Sequence, residues 1–153
     1  MHRSFFSLLL FAIFLLPACN KKTAKGIAAN EGALDQLIRV RYGSFVAIPS
    51  ENLSISFDKI REGRCPIGVD CLQAGEANIS MIVTKANQSE SLVLTAKGNC
   101  QTDDGSCGQE KSILNYIIKL VKLDPYPGTE PQDKEFYSAY LMVTQNSGTG
   151  SRR

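Results

Sequence analysis

Five cysteines and a single histidine set the reactive chemistry open to this 153-residue chain. The histidine is His2, at the start of an apolar leader, so once the leader is removed the chain has no imidazole. That takes away Ser-His-Asp and Cys-His nucleophiles and any His-ligated zinc or copper site. Neither G-x-x-x-x-G-K-[ST] nor G-x-G-x-x-G follows a strand pattern. Fifteen scattered acidic residues always contain some carboxylate pair, so a glycosidase-like pair has no support of its own. The cysteines are Cys19, Cys65, Cys71, Cys100 and Cys107. The C-x5-C and C-x6-C spacings of the last four miss the C-x2-4-C pattern of zinc knuckles. Asn99–Ser106 is rich in oxygen ligands, but setting Gly105 at the sixth position of a calcium loop puts Cys100, Thr102 and Lys111 at ligand positions one, three and twelve. Asp103-Asp104-Gly105 is then a turn. The chain reads as a non-enzyme with no cofactor and no metal.

Cys19 belongs to a different chemistry. Met1-His2-Arg3 gives a positive start, Phe5–Leu16 is apolar except for Ser7, and small Ala18 precedes the cysteine. This is the layout of a secretory signal with a small-residue cleavage site. As a helix Phe5–Leu16 covers roughly 18 Å, short of the bilayer core of about 30 Å, so it does not read as a permanent span. Leu16-Pro17-Ala18-Cys19 resembles the lipobox of bacterial lipoproteins. The resemblance implies cleavage before Cys19, lipid on its thiol, and a place in the bacterial cell envelope facing the periplasm or cell exterior. A plain cleaved signal, leaving Cys19 as an ordinary thiol, is the rival. The cysteine count favours the lipid: an odd number in an exported protein leaves one thiol to explain, and lipidation leaves four.

An oxidising compartment favours pairing those four. Three connectivities are open, and the spacings lean toward two local loops, Cys65–Cys71 and Cys100–Cys107, each contributing roughly 2–2.5 kcal/mol through loop entropy. Residues 1–18 form the signal peptide, leaving 135 residues with 16 basic and 15 acidic side chains. No clustered basic surface exists for nucleic acid. The expected partners are the membrane, through the anchor, and an envelope protein.

Residues 19–32 are polar and read as a lipidated tether, with a helix over Ala28–Leu37 left open. Strand patterns follow. Ile38, Val40 and Tyr42 alternate with Arg39 and Arg41, Phe45–Ile48 resumes after Gly43-Ser44, and Leu53, Ile55 and Phe57 alternate with serines and Asp58. Ala77, Ile79, Met81 and Val83 repeat the pattern, Leu92–Leu94 is a short β-prone run, and Tyr137, Ala139, Leu141 and Val143 close it. Ile113–Leu123 fits a helix or a strand, and its β-branched and aromatic content favours the strand. The expectation is an all-β domain over 33–145, an antiparallel β-sandwich or small barrel of about six to eight strands, with a disordered tail over 146–153.

The loop between two of those strands is distinctive. Arg64-Cys65-Pro66-Ile67-Gly68-Val69-Asp70-Cys71-Leu72-Gln73-Ala74-Gly75-Glu76-Ala77 resembles a stretch of small uncharacterised bacterial envelope lipoproteins, approximately R-C-P-x-G-V-x-C-x-W-A-G-x-A. It matches at Arg64, Cys65, Pro66, Gly68, Val69, Cys71, Ala74, Gly75 and Ala77, and departs at Gln73, where the pattern has tryptophan. Leu123–Pro127 and the last strand, with Tyr137 and Tyr140, are similar to the ending of that family. The resemblance implies fold and address, not an activity. Pro66 fixes one φ and Gly68 allows a left-handed one, which lets the excursion close. Gly75 allows a bulge or a close backbone approach. One reading makes this loop a staple packed around Val69, Leu72 and Ala77; the other makes it a displayed binding loop. The expected function is a lipid-anchored envelope protein with a binding or accessory role. Its alternatives are a small-ligand carrier with a barrel cavity and an inhibitor presenting the stapled loop.

Overall fold

A computed structural model describes residues 30–98, 109–129 and 133–147. The described chain is all-β apart from two single-turn 3-10 helices, Pro49–Glu51 and Lys134–Phe136. Eight full strands are β2 (Leu37–Arg41), β3 (Phe45–Ile48), β4 (Leu53–Arg61), β5 (Glu76–Lys85), β6 (Gln88–Lys97), β7 (Glu110–Ile113), β8 (Tyr116–Asp124) and β9 (Ser138–Gln145). A two-residue β1, Asn30–Glu31, precedes them and pairs parallel to β3. It falls inside the stretch read as tether.

Two sheets face each other, β1-β3-β4-β5-β6 and β2-β9-β8-β7. The architecture is a β-sandwich, and apart from β1 every pairing between named strands is antiparallel. Apart from β1, the strands follow one another in chain order around the core, and the closing pair is β9 with β2. Backbone contacts join the sheets at two corners: the Gly43 N–H donates to the Phe57 carbonyl at 2.8 Å, and the Gln109 N–H to the Thr95 carbonyl at 3.3 Å.

The alternating patterns become strands because each buries one face. Ile38 and Val40 of β2, Leu53, Ile55 and Phe57 of β4, and Ala77, Ile79, Met81 and Val83 of β5 point inward. Leu92, Leu94 and Ala96 of β6, and Ala139, Leu141 and Val143 of β9, complete one continuous core. Two bulges reset the alternation. The register shifts between Phe57 and Lys59 and between Leu120 and Lys122. An extra residue moves the inward set of β8 from Tyr116, Ile118 and Leu120 to Leu123.

Ile113–Leu123 is neither one helix nor one strand. Leu114 and Asn115 adopt φ of 48° and 65°, the left-handed pair of a two-residue hairpin, and split the run into β7 and β8. At that end of the sandwich Tyr116 is fully buried, and its hydroxyl donates to Glu51 Oε2 at 2.7 Å and accepts from Lys85. The opposite end carries the loop 62–75 and residues 125–129 and 133–137.

Candidate functional site

The loop between β4 and β5 rests on Arg64, a charged side chain only 4% exposed. Its guanidinium meets Glu62 through Nε to Oε1 at 2.9 Å and Nη2 to Oε2 at 2.6 Å. Nη1 donates to the Leu123 carbonyl at 3.1 Å and Nη2 to the Pro125 carbonyl at 3.0 Å. Tyr126 lies under the guanidinium, 4.7 Å from its ring centre. Arginine suits this place because its planar fork reaches several acceptors at once. The chain turn at Glu62 is held by the same carboxylate, whose Oε1 accepts the Gly63 and Arg64 backbone N–H groups at 3.1 and 2.9 Å.

The charges settle each other. Burial pushes the Glu62 carboxyl up, but the hydrogen bonds and charge of Arg64, with the Tyr137 hydroxyl, outweigh it and hold the group below its ordinary 4.5. Tyr137 moves the other way: burial first, then the Glu62 charge and hydrogen bond, raise it above 10.0. The cluster is therefore an ion pair at neutral pH with a protonated phenol beside it.

From this base the loop is closed by a Cys65–Cys71 disulfide with Cα atoms 6.0 Å apart. The Cys65 N–H donates to the Ala74 carbonyl at 2.8 Å, and the Ile67 N–H to the Pro127 carbonyl at 2.9 Å. Gly68 takes the left-handed φ of 79° that the sequence reading assigned to it. Gly75, at φ 67°, makes the close approach: a β-carbon there would lie 2.0 Å from the Gly63 carbonyl oxygen. The Gly75 carbonyl in turn accepts the Gly98 N–H at 2.8 Å. Pro66 and Gln73 face solvent.

The staple reading of the loop needs a correction. Val69 is 55% exposed and Leu72 fully exposed, so neither packs on the core; Ala77 alone of the three is buried. Ile67 is 53% exposed as well. These side chains are turned to solvent, while the ring's backbone bonds to the rest of the chain run from Cys65 to Ala74 and from Ile67 to Pro127. Sequence reasoning singled out Arg64 but missed Glu62, Tyr126 and Tyr137. Glu62 stands two residues from Arg64 and could have been paired with it, but nothing local marks Tyr126 and Tyr137, since the stretch Arg64 bonds at residues 123 and 125 lies 59 and 61 positions away.

Cys19, Cys100 and Cys107 lie outside the described residues. Among the described residues no three His, Cys, Asp or Glu side chains gather to hold a metal ion. Compared with protein-family models, with curated proteins and with solved structures, the chain matches none. The site's own geometry carries the functional argument.

Proposed function

We propose that this protein is a lipid-anchored binding module of the bacterial cell envelope, non-enzymatic, which holds a partner protein through the loop closed by Cys65 and Cys71. The observation that carries the reading is the outward set of Ile67, Val69 and Leu72 on a loop fixed at its base by the buried Arg64. These three exposed apolar side chains fall within six residues of one stapled loop, and exposed apolar residues gathered in one place mark interaction sites. Stapling and pinning order the loop before any partner arrives, which reduces the entropy lost on association. The partner surface that fits is an apolar pocket wide enough for a leucine, with Leu72 as the anchor. A carrier role has less behind it: buried side chains from both sheets occupy the interior between them.

Val69→Asp with Leu72→Asp tests the binding role. Both positions are exposed, so the unfolding free energy is expected to stay within about 0.5 kcal/mol of wild type. The immobilised domain should retain from solubilised envelope a protein that the variant does not retain. Equal retention by both would overturn the reading. The anchor has its own test. Wild type should enter the detergent phase of a detergent extraction and Cys19→Ser the aqueous phase; wild type in the aqueous phase would remove the lipid.

A further inference from the structure

Strand β2 borders its sheet, with β9 on one side only. The ladder can be phased from one bond, the Tyr42 N–H to the Tyr137 carbonyl at 2.9 Å. Antiparallel pairs alternate, so Val40 and Ile38 also turn their N–H and C=O groups to β9, while Arg41, Arg39 and Leu37 turn theirs away. The Arg41 carbonyl accepts from the Ser44 N–H and hydroxyl at 3.0 and 2.8 Å. Among the described residues nothing pairs with the outward groups of Leu37 and Arg39.

Those groups border a solvent-open groove of about 380 Å³ between β1, the turn after it and β2, lined by Glu31, Gly32, Leu37, Ile38, Arg39 and Arg41 among others. Leu37 is 56% exposed at its rim. Arg39 is held in place: its Nε donates to Ser138 Oγ at 3.1 Å and its guanidinium lies 5.8 Å from the Tyr140 ring centre. The residues lining the groove carry two positive charges, Arg39 and Arg41, against the one negative charge of Glu31, with the Arg39 guanidinium leaning toward β9 and Arg41 exposed.

We infer that the free edge of β2 is a second binding site, independent of the stapled loop, which takes an extended acidic peptide segment as an added strand. Edge pairing gives such a segment its backbone bonds, alternate side-chain contacts give it selectivity, and opposite charge across the groove favours Glu or Asp flanking an apolar residue set against Leu37. A second copy of this chain fits less well. Full overlap of two β2 strands centres on Arg39 and sets it opposite its own equivalent, a like-charge pair. Edge arginines also guard against self-association, and that is the rival explanation for them.

The probes are two synthetic peptides, one alternating Glu and Val between threonines and one with Lys in place of each Glu. Fluorescence anisotropy reads affinity, and amide hydrogen exchange reads the edge. The acidic peptide should bind at least ten-fold tighter than the basic one and slow exchange at the Leu37 and Arg39 amides. Arg39→Glu with Arg41→Glu, both exposed positions, should reverse the preference. Leu37→Pro keeps every charge, removes one donor where an edge tolerates proline, and should weaken the acidic peptide several-fold. Absence of protection at both amides, equal binding of the two peptides, or an unaffected Leu37→Pro would each overturn the inference. The last would leave only diffuse attraction to the arginines.

Discussion

Arg64→Ala is expected to lower the unfolding free energy by about 3–5 kcal/mol, the usual cost of removing one member of a buried ion pair. The loss has three sources. Glu62 keeps a charge in a partly buried place without its cation, the Leu123 and Pro125 carbonyls lose their donors, and Tyr126 loses the guanidinium above it. The pH dependence separates this account from a plain cavity. In wild type the Glu62 carboxyl sits below 4.5. Its contribution is therefore complete above the unfolded-state value and is lost as pH falls through the lower folded-state value. In Arg64→Ala burial acts without the guanidinium and pushes the carboxyl up, so acid stabilises the variant relative to wild type. Urea unfolding at pH 7 and pH 3 should give a gap that narrows in acid. A gap below about 1 kcal/mol at neutral pH, or one independent of pH, would contradict the role given to Arg64.

Gly75→Ala is the second large effect, about 2–5 kcal/mol. The left-handed φ of 67° costs a β-carbon roughly 1–2 kcal/mol. The carbon would also sit 2.0 Å from the Gly63 carbonyl oxygen and 3.2 Å from the Arg64 Cα. Both are backbone atoms, so no rotamer relieves the clash, and overpacking adds roughly 1–3 kcal/mol. Gly68→Ala is the matched comparison. Its φ is 79°, but nothing lies within 4 Å of the added carbon, so only the conformational cost of about 1–2 kcal/mol applies. Equal midpoints for the two alanine variants in urea would remove the backbone packing under the loop from the account.

The strands were legible because period-two alternation and a half-buried sheet are the same fact seen twice. Ile38 with Val40, Ala77 through Val83, and Ala139 through Val143 needed nothing but their own spacing. The bulges at Asp58 and Val121 were not legible, since an extra residue looks like any other in a β-prone run. Leu114-Asn115 hid a hairpin because leucine is an unusual residue to hold at φ 48°. At the loop, Pro66, Gly68 and Gly75 announced their backbone roles, and the disulfide partners were the nearest of three choices. The direction of Val69 and Leu72 could not be read. An apolar side chain signals core by default, and the ring's bonds to residues 74 and 127, which set how the loop lies, form only in the folded chain. Arg64 lay in plain view, but its two backbone acceptors, Leu123 and Pro125, lie at and just beyond the far end of β8.

The most direct measurement of the binding role is photocrosslinking in intact cells, with benzoylphenylalanine placed at position 72. The control places it at position 93, where Val93 is 44% exposed on the outer face of β6. The account predicts a single dominant adduct of discrete mass from position 72 on irradiation, absent from position 93 and lost when Cys65→Ala and Cys71→Ala open the loop. No adduct from position 72, or the same adducts from both positions, would contradict it.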